Sequence, residues 1–125
     1  MPLSHSIGIN LSGTGTASAN FVAEQTADGS ANYQVVIAPA ASAFTVICPI
    51  DASQVRSIVM FADAAMTVLT KSGASTVNTF ALVANKPLIW QTGYPVTCPI
   101  TGDCDTLSVT STPGGNLNLS LLEDV

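Results

Sequence analysis

The chain has 125 residues, of which 47% are hydrophobic and only 9% carry a charge, whereas about 25% are charged in an average soluble domain. Its net charge is −5 and its only bases are Arg56, Lys71 and Lys86. Three bases are too few to neutralise a row of phosphates, so we expect no direct binding to nucleic acid. Because no apolar run approaches the ~18 residues of a membrane-spanning helix, we also expect no membrane partner.

The length suits one hydrophobic core. We predict a single domain over residues 1–125, in which residues 1–15 form an N-terminal arm or an edge strand. Since so apolar a chain is unusual for a free monomer, we expect part of its surface to be buried against copies of itself or another protein. The N-terminus has neither a basic region nor a continuous apolar core, which predicts no secretory signal and synthesis in a cytoplasm.

Alternating apolar and polar residues predict a series of short strands in the first half of the chain. A turn at Ala27–Ser30 is predicted to join the second and third of them as a hairpin, because its Asp-Gly pair tolerates positive φ. Pro39 predicts a loop and Pro49 the end of a strand, since proline cannot donate to a ladder. Asp51 begins a turn or a short helical step. The predicted strands cover residues 4–12, 20–25, 33–38, 44–48 and 55–62, with a helix over 52–66 as the alternative to the last.

The stretch Asn78–Tyr94 holds the only tryptophan of the chain. Its period-two pattern predicts two strands, 79–84 and 87–91, joined by Asn85 and Lys86. Trp90 is expected to be a core or interface anchor whose indole N–H has a hydrogen-bond partner. Tyr94 and Phe80 are the other two candidates for interface or anchor residues.

The remaining strands follow the same pattern. Residues 66–70 are predicted to form a strand that ends in a turn at Lys71–Gly73. Residues 96–105 are predicted to form a loop or a short edge strand. Residues 107–110 and 117–121 predict a hairpin around Pro113-Gly114-Gly115. Eight or nine short strands predict an all-β fold, either an antiparallel two-sheet β-sandwich or a small barrel.

No arrangement of reactive residues predicts an enzyme. His5 is the only histidine, and the chain has no Gly-x-Ser-x-Gly sequence in which a nucleophilic serine would lie. The eight acids are scattered over turns and do not specify a carboxylate pair for glycoside hydrolysis. Asp103 and Asp105 are interpreted as turn residues, because a calcium site needs more oxygen ligands than they supply. We predict no catalytic residue, no cofactor and no metal.

The chain has three cysteines, Cys48, Cys98 and Cys104, which is an odd number. An odd set favours reduced thiols packed as small hydrophobic residues, with a disulfide between Cys98 and Cys104 as the alternative.

The chain from Ser53 onward resembles the small head decoration, or cement, proteins of tailed bacteriophages. The matching segments are Ser53-Gln-Val-Arg-Ser-Ile-Val-Met-Phe-Ala-Asp63, Met66-Thr-Val-Leu-Thr70, Phe80-Ala-Leu-Val-Ala-Asn-Lys-Pro-Leu-Ile-Trp-Gln91, Asp105-Thr-Leu-Ser-Val-Thr110 and Asn116-Leu-Asn-Leu-Ser-Leu-Leu-Glu-Asp124. The resemblance implies a jelly-roll-like sandwich that self-associates, often as a homotrimer, and binds the outer capsid surface where major capsid subunits meet. It implies no catalytic residues.

We therefore predict a non-enzymatic virion structural protein on the capsid exterior, made in the host cytoplasm, with the major capsid protein and further copies of itself as partners. A tail-fibre or baseplate module is one alternative. A carbohydrate-binding sandwich is another, and it predicts that Trp90 or Tyr94 is exposed.

Overall fold

The computed structural model describes the backbone of residues 3–11, 19–27 and 29–124, and the side chains of residues 29–124. These ranges contain ten strands and one 3-10 helix, Ala52–Gln54. The strands are β1 Leu3–Leu11, β2 Ala19–Ala27, β3 Gly29–Ile37, β4 Ala41–Ile50, β5 Val55–Ala62, β6 Met66–Ser72, β7 Ser75–Leu82, β8 Leu88–Gln91, β9 Cys104–Ser111 and β10 Gly115–Glu123. Among the residues described, no helix is both long and apolar enough to cross a membrane.

Eight of the strands form two four-stranded antiparallel sheets. Sheet I has the order β3-β10-β5-β8 and sheet II the order β4-β9-β6-β7. Except for the β6–β7 hairpin, each of these strands is followed along the chain by a strand of the other sheet. This connectivity is that of a jelly roll. The prediction of an all-β, antiparallel two-sheet sandwich is confirmed.

The core lies between the two sheets and consists of every second residue along their strands. In β10, Leu117, Leu119 and Leu121 are buried, and they alternate with Asn116, Asn118 and Ser120 on the outer face. In β5, the inward residues Ile58, Met60 and Ala62 are likewise buried. Because the apolar residues of both sheets recur at a period of two, the sandwich buries one continuous cluster of side chains.

The predicted hairpin of β9 and β10 is wrong. The alternation of each strand is as predicted, but β9 pairs with β4 and β6 in sheet II, whereas β10 pairs with β3 and β5 in sheet I. Between them the chain crosses from one sheet to the other through Gly114 (φ 70°) and Gly115 (φ 152°). The sequence pattern shows which face of a strand is buried, but not whether the next strand lies beside it or opposite it.

The predicted hairpin at Ala27–Ser30 is also wrong, because β2 pairs with β1 and β3 pairs with β10. Asp28, in the predicted turn, lies outside the described residues.

Pro49 does not end its strand but lies inside β4, where a register shift between Ile47 and Ile50 accommodates it at a sheet edge. β7 and β8 belong to different sheets. β5 is a strand, so the helical alternative for residues 52–66 is excluded beyond the 3-10 turn that Asp51 caps.

β1 and β2 form a separate two-stranded ribbon. It approaches β5 and β10, the two central strands of sheet I. A cross-strand row on the outer face of this sheet, Leu122, Ser57 and Gln91, is buried although it points away from the core. The ribbon of β1 and β2 therefore covers the outer face of sheet I at the end near this row, and the other end of this face is open.

Candidate interaction surface

The segment from Gly29 to Ile50, which comprises β3, β4 and their connection, contains no charged residue. β3 is an edge strand of sheet I and β4 an edge strand of sheet II, and the two strands contact each other. Together they form one side of the sandwich, here called the neutral flank. Soluble β-proteins usually place charges on such edges, because an open edge is a template for pairing with another chain.

Large apolar side chains are exposed along the neutral flank. Val36 is 77% exposed on β3, and Phe44 (47%) and Ile47 (79%) are exposed on β4. The opposite flank, formed by β7 and β8, has no exposed large hydrophobic residue within its strands, although its strands are also uncharged. Large exposed apolar side chains on a side of the domain that carries no charge are a feature of surfaces that other molecules cover.

The connection within the neutral flank is held in an unusual backbone conformation. Ala40 and Ala43 have φ angles of 58° and 51°, which are uncommon for residues other than glycine. The Ala40 N–H donates to the carbonyl of Thr112 (2.9 Å), and the Ala43 N–H donates to Oγ1 of Thr110 (3.1 Å). These bonds fix the start of β4 to β9, so the flank is a preformed surface and needs little ordering to bind a partner.

Gly114 allows this connection to lie against the turn between β9 and β10. A Cβ atom at Gly114 would lie 2.6 Å from the backbone nitrogen of Pro39 and 2.7 Å from the carbonyl oxygen of Ile37. Both of these are backbone atoms that side-chain rotation cannot move away. The two turns therefore pack together only if position 114 has no side chain.

The carboxylates with described side chains all lie outside the neutral flank, and most of them accept hydrogen bonds that fasten turns. The Ser53 hydroxyl and backbone N–H donate to Asp51, and these bonds hold the pKa of its carboxyl below the usual range. Asp103 accepts from the Ala52 N–H (2.9 Å) and Asp105 from the Gly73 N–H (3.3 Å). Asp103 lies in the loop before β9, whereas Asp105 lies within β9, so the interpretation of Asp105 as a turn residue is wrong; both side chains instead accept from turns distant in sequence.

Within residues 29–124, no group of three or more His, Cys, Asp or Glu side chains is arranged to hold a metal ion. The side chain of His5 lies outside the part of the chain whose side chains are described.

The three residues predicted as interface or anchor positions lie away from the neutral flank. Phe80 is buried in the core on β7. Trp90 is half-buried on β8, packs against the core, and donates its Nε1–H to the carbonyl of Val96 at 3.0 Å. Tyr94 is half-buried in the loop that follows β8, where its N–H donates to the carbonyl of Gln91.

All three thiols are free. Cys48 is fully buried, and burial, together with the nearby Cys104, raises the pKa of its thiol to about 12. The Sγ of Cys104 donates to the carbonyl oxygen of Cys48 at 3.7 Å, while Cys98 is half-buried in the loop before β9. These positions agree with the prediction of reduced thiols, and the structure does not contain the alternative disulfide between Cys98 and Cys104.

A second surface feature is a hollow of about 420 Å³ on the open end of the outer face of sheet I. One cross-strand row, Gln34, Asn118 and Phe61, runs through it, because Asn118 pairs with Gln34 on one side and Phe61 on the other. Phe61 is half-buried and Gln34 is exposed. Asp63 and Asn116 border the hollow.

Comparison of the chain with models of known protein families, with curated protein sequences and with solved structures found no match. The neutral flank and the hollow therefore have to be interpreted from their own chemistry. Sequence reasoning did not select either surface. The charge-free segment from Gly29 to Ile50 is visible in the sequence, but only the sheet order shows that its strands are edges.

Proposed function

We propose that this chain is a non-enzymatic virion structural protein that self-associates and binds the outer surface of a bacteriophage capsid. The observation that carries the proposal is the neutral flank, with its exposed Val36, Phe44 and Ile47. The resemblance to head decoration proteins supplies the location and the partner, the major capsid protein. The jelly-roll connectivity is compatible with this role, since viral capsid domains use it, but the same fold serves other functions.

Charge explains why two copies would meet at the neutral flank. Each chain carries a net charge of −5, so most orientations of two copies bring like charges together, which disfavours association. The neutral flank contributes no charge to such a contact. Contacts between identical chains reuse one surface or join two complementary ones, and a neutral apolar surface is compatible with either arrangement.

The open edge of β4 is available for strand pairing between copies. Register shifts flank residues 44–47 and Pro49 has no N–H to donate, so the regular part of β4 is residues 44–47, which span roughly 13 Å. The outer edge of β4 pairs with no strand among those described. A strand added to such an edge gains main-chain hydrogen bonds, while the exposed side chains supply specificity. We propose that copies associate through this edge into a closed oligomer, with the trimer as the favoured state.

The first experiment measures the oligomeric state by sedimentation equilibrium. Ile47→Lys places a charge on the neutral flank at a position already exposed to solvent, and Thr79→Lys is the matched control on the edge strand β7 of the opposite flank. We expect the unmodified chain to form oligomers, Ile47→Lys to weaken association at least tenfold, and Thr79→Lys to leave it unchanged. A chain that stays monomeric, or that associates equally in both variants, contradicts the proposal.

The second experiment locates the chain in the particle. Imaging of purified virions should show density of its size on the outer surface of the head, and the isolated chain should bind empty heads of the same phage. Density on the tail fibre or baseplate instead would favour the alternative tail module, and absence from the particle would exclude both.

A further inference from the structure

The hollow on the outer face of sheet I combines one aromatic ring with neutral amides. Gln34, Asn118 and Phe61 lie on three adjacent strands in a single row. Since neighbouring strands are about 4.8 Å apart, the row spans roughly 10 Å. Val36 lines the hollow beside this row. A hollow of about 420 Å³ is within the size range of small-molecule sites.

One end of the hollow is rigid. The Asp63 carboxylate accepts hydrogen bonds from the backbone N–H of Asn116 (2.8 Å) and from its Nδ2 (2.9 Å). These bonds hold the pKa of Asp63 below its usual range, so the carboxylate is charged at neutral pH. Each carboxylate oxygen keeps a further lone pair that can accept from a ligand.

The chemistry of the lining selects the ligand. The side-chain amides of Gln34 and Asn118 each offer donors and acceptors, which suits hydroxyl groups that both donate and accept. The half-buried ring of Phe61 lines the hollow and offers an apolar face to C–H groups. No basic residue lines the hollow and Asp63 does, so a phosphate, sulfate or carboxylate on the ligand would be repelled.

We propose that this hollow binds a neutral saccharide, with one sugar ring stacked on Phe61 and its hydroxyl groups hydrogen-bonded to Gln34, Asn118 and Asp63. A saccharide of one or two rings matches the length of the row. The site goes beyond the proposed structural role, and it does not involve Trp90 or Tyr94. It overlaps the neutral flank at Gln34, Val35 and Val36 on β3, but Phe61 and Asn118 lie on interior strands, so variants of these two residues test the hollow separately.

The test uses the full-length ¹⁵N-labelled chain and a panel of probes. The neutral probes are tetrasaccharides of glucose, galactose, mannose and N-acetylglucosamine, and the anionic probe is sialyllactose. We expect at least one neutral probe to give saturable shifts of the Gln34 and Asn118 side-chain amides, with a Kd below about 1 mM, and sialyllactose to give none.

Three variants decide whether the hollow itself binds. Phe61→Leu keeps an apolar side chain but removes the ring, and Asn118→Ala removes the central amide; we expect each to weaken binding at least tenfold. Thr67→Ala, on the outer face of sheet II, is the control and should bind normally. Ile47→Lys should also bind normally, which separates this site from self-association. The proposal is overturned if no neutral probe saturates, if sialyllactose binds more tightly, or if Phe61→Leu and Asn118→Ala bind like the unmodified chain.

Discussion

Asp63 and Asn116 are joined by three hydrogen bonds. The carboxylate of Asp63 accepts from the backbone N–H and the Nδ2 of Asn116, and the Asp63 N–H donates to the Asn116 carbonyl at 3.2 Å. The residues lie at the end of β5 and the start of β10, so the bonds fix the chain where it enters sheet I after crossing from sheet II. Gly115 permits this contact, because a Cβ there would overlap Oδ1 of Asp63.

Stability in acid should depend on this pair. Because hydrogen bonds from Asn116 lower the pKa of Asp63 in the folded chain, its contribution is fully present above the unfolded pKa of about 3.9 and is lost as the pH falls through the lower folded pKa. We expect Asp63→Asn to be less stable than the unmodified chain at pH 7. The difference should shrink as the pH falls below about 4.

Urea unfolding across this pH range measures the effect. Asn116→Ala and the double variant complete a cycle that isolates the side-chain bond, and the two single losses should not add. A stability difference between Asp63→Asn and the unmodified chain that is the same at every pH would contradict the assignment.

The glycine between β9 and β10 should tolerate no side chain. Gly114→Ala combines a positive φ with backbone atoms at 2.6 and 2.7 Å from the new Cβ. Gly73 is the matched control, since its φ is also positive (60°) but nothing lies within 4 Å of its Cβ position. We expect Gly73→Ala to cost about 1–2 kcal/mol of unfolding free energy and Gly114→Ala roughly 3 kcal/mol or more. Equal losses in chemical denaturation would show that the two turns do not pack as described.

Thiol reactivity should follow burial. Cys48 is fully buried with a pKa raised to about 12, and Cys104 is also buried, whereas Cys98 is half-buried. Since the thiolate is the reactive form, we expect iodoacetamide at pH 8 to modify Cys98 first in the folded chain. Peptide mass spectrometry follows each site, and Cys98→Ala should abolish the early modification. Rapid labelling of Cys48 without denaturant would contradict its burial.

Trp90 and Phe44 should separate folding from association. Trp90→Phe removes the hydrogen bond to the Val96 carbonyl and should lower stability by about 1 kcal/mol, without changing self-association, because β8 lies at the edge of sheet I opposite β3. Phe44→Ser should instead weaken association, since Phe44 is exposed on the neutral flank. Thermal unfolding and sedimentation equilibrium measure the two effects. If Trp90→Phe weakened association and Phe44→Ser did not, the interface would have to lie near β8 and not on the neutral flank.

Individual strands were predictable because their signal is local. β5 was predicted with the bounds that the structure shows, and the alternation of leucines in β10 correctly placed residues 117, 119 and 121 in the core. The turn function of Asp51 was also predictable, since short acidic side chains hydrogen-bond to nearby backbone groups, here the Ser53 N–H. Strand pairing was not predictable in the same way, because an alternating strand has the same pattern whether its chain neighbour lies in its own sheet or in the facing one.

The hollow illustrates the same limit. Gln34, Phe61 and Asn118 are far apart in the sequence, and nothing in their local patterns relates them. They form one row only because β10 lies between β3 and β5 in sheet I. The neutral flank is an intermediate case, since its lack of charge is a sequence property and its position at two sheet edges is not.

The sequence by itself determined that this chain is built from short strands with one buried face, and that it carries few charges. Both properties follow from residue type and spacing along the chain. Only the tertiary structure decided which strands are edges and which residues share a surface, because these depend on contacts between segments distant in sequence. The physical reason is that burial of a strand face is satisfied by any apolar partner, whereas hydrogen bonding across a sheet selects one neighbour on each side.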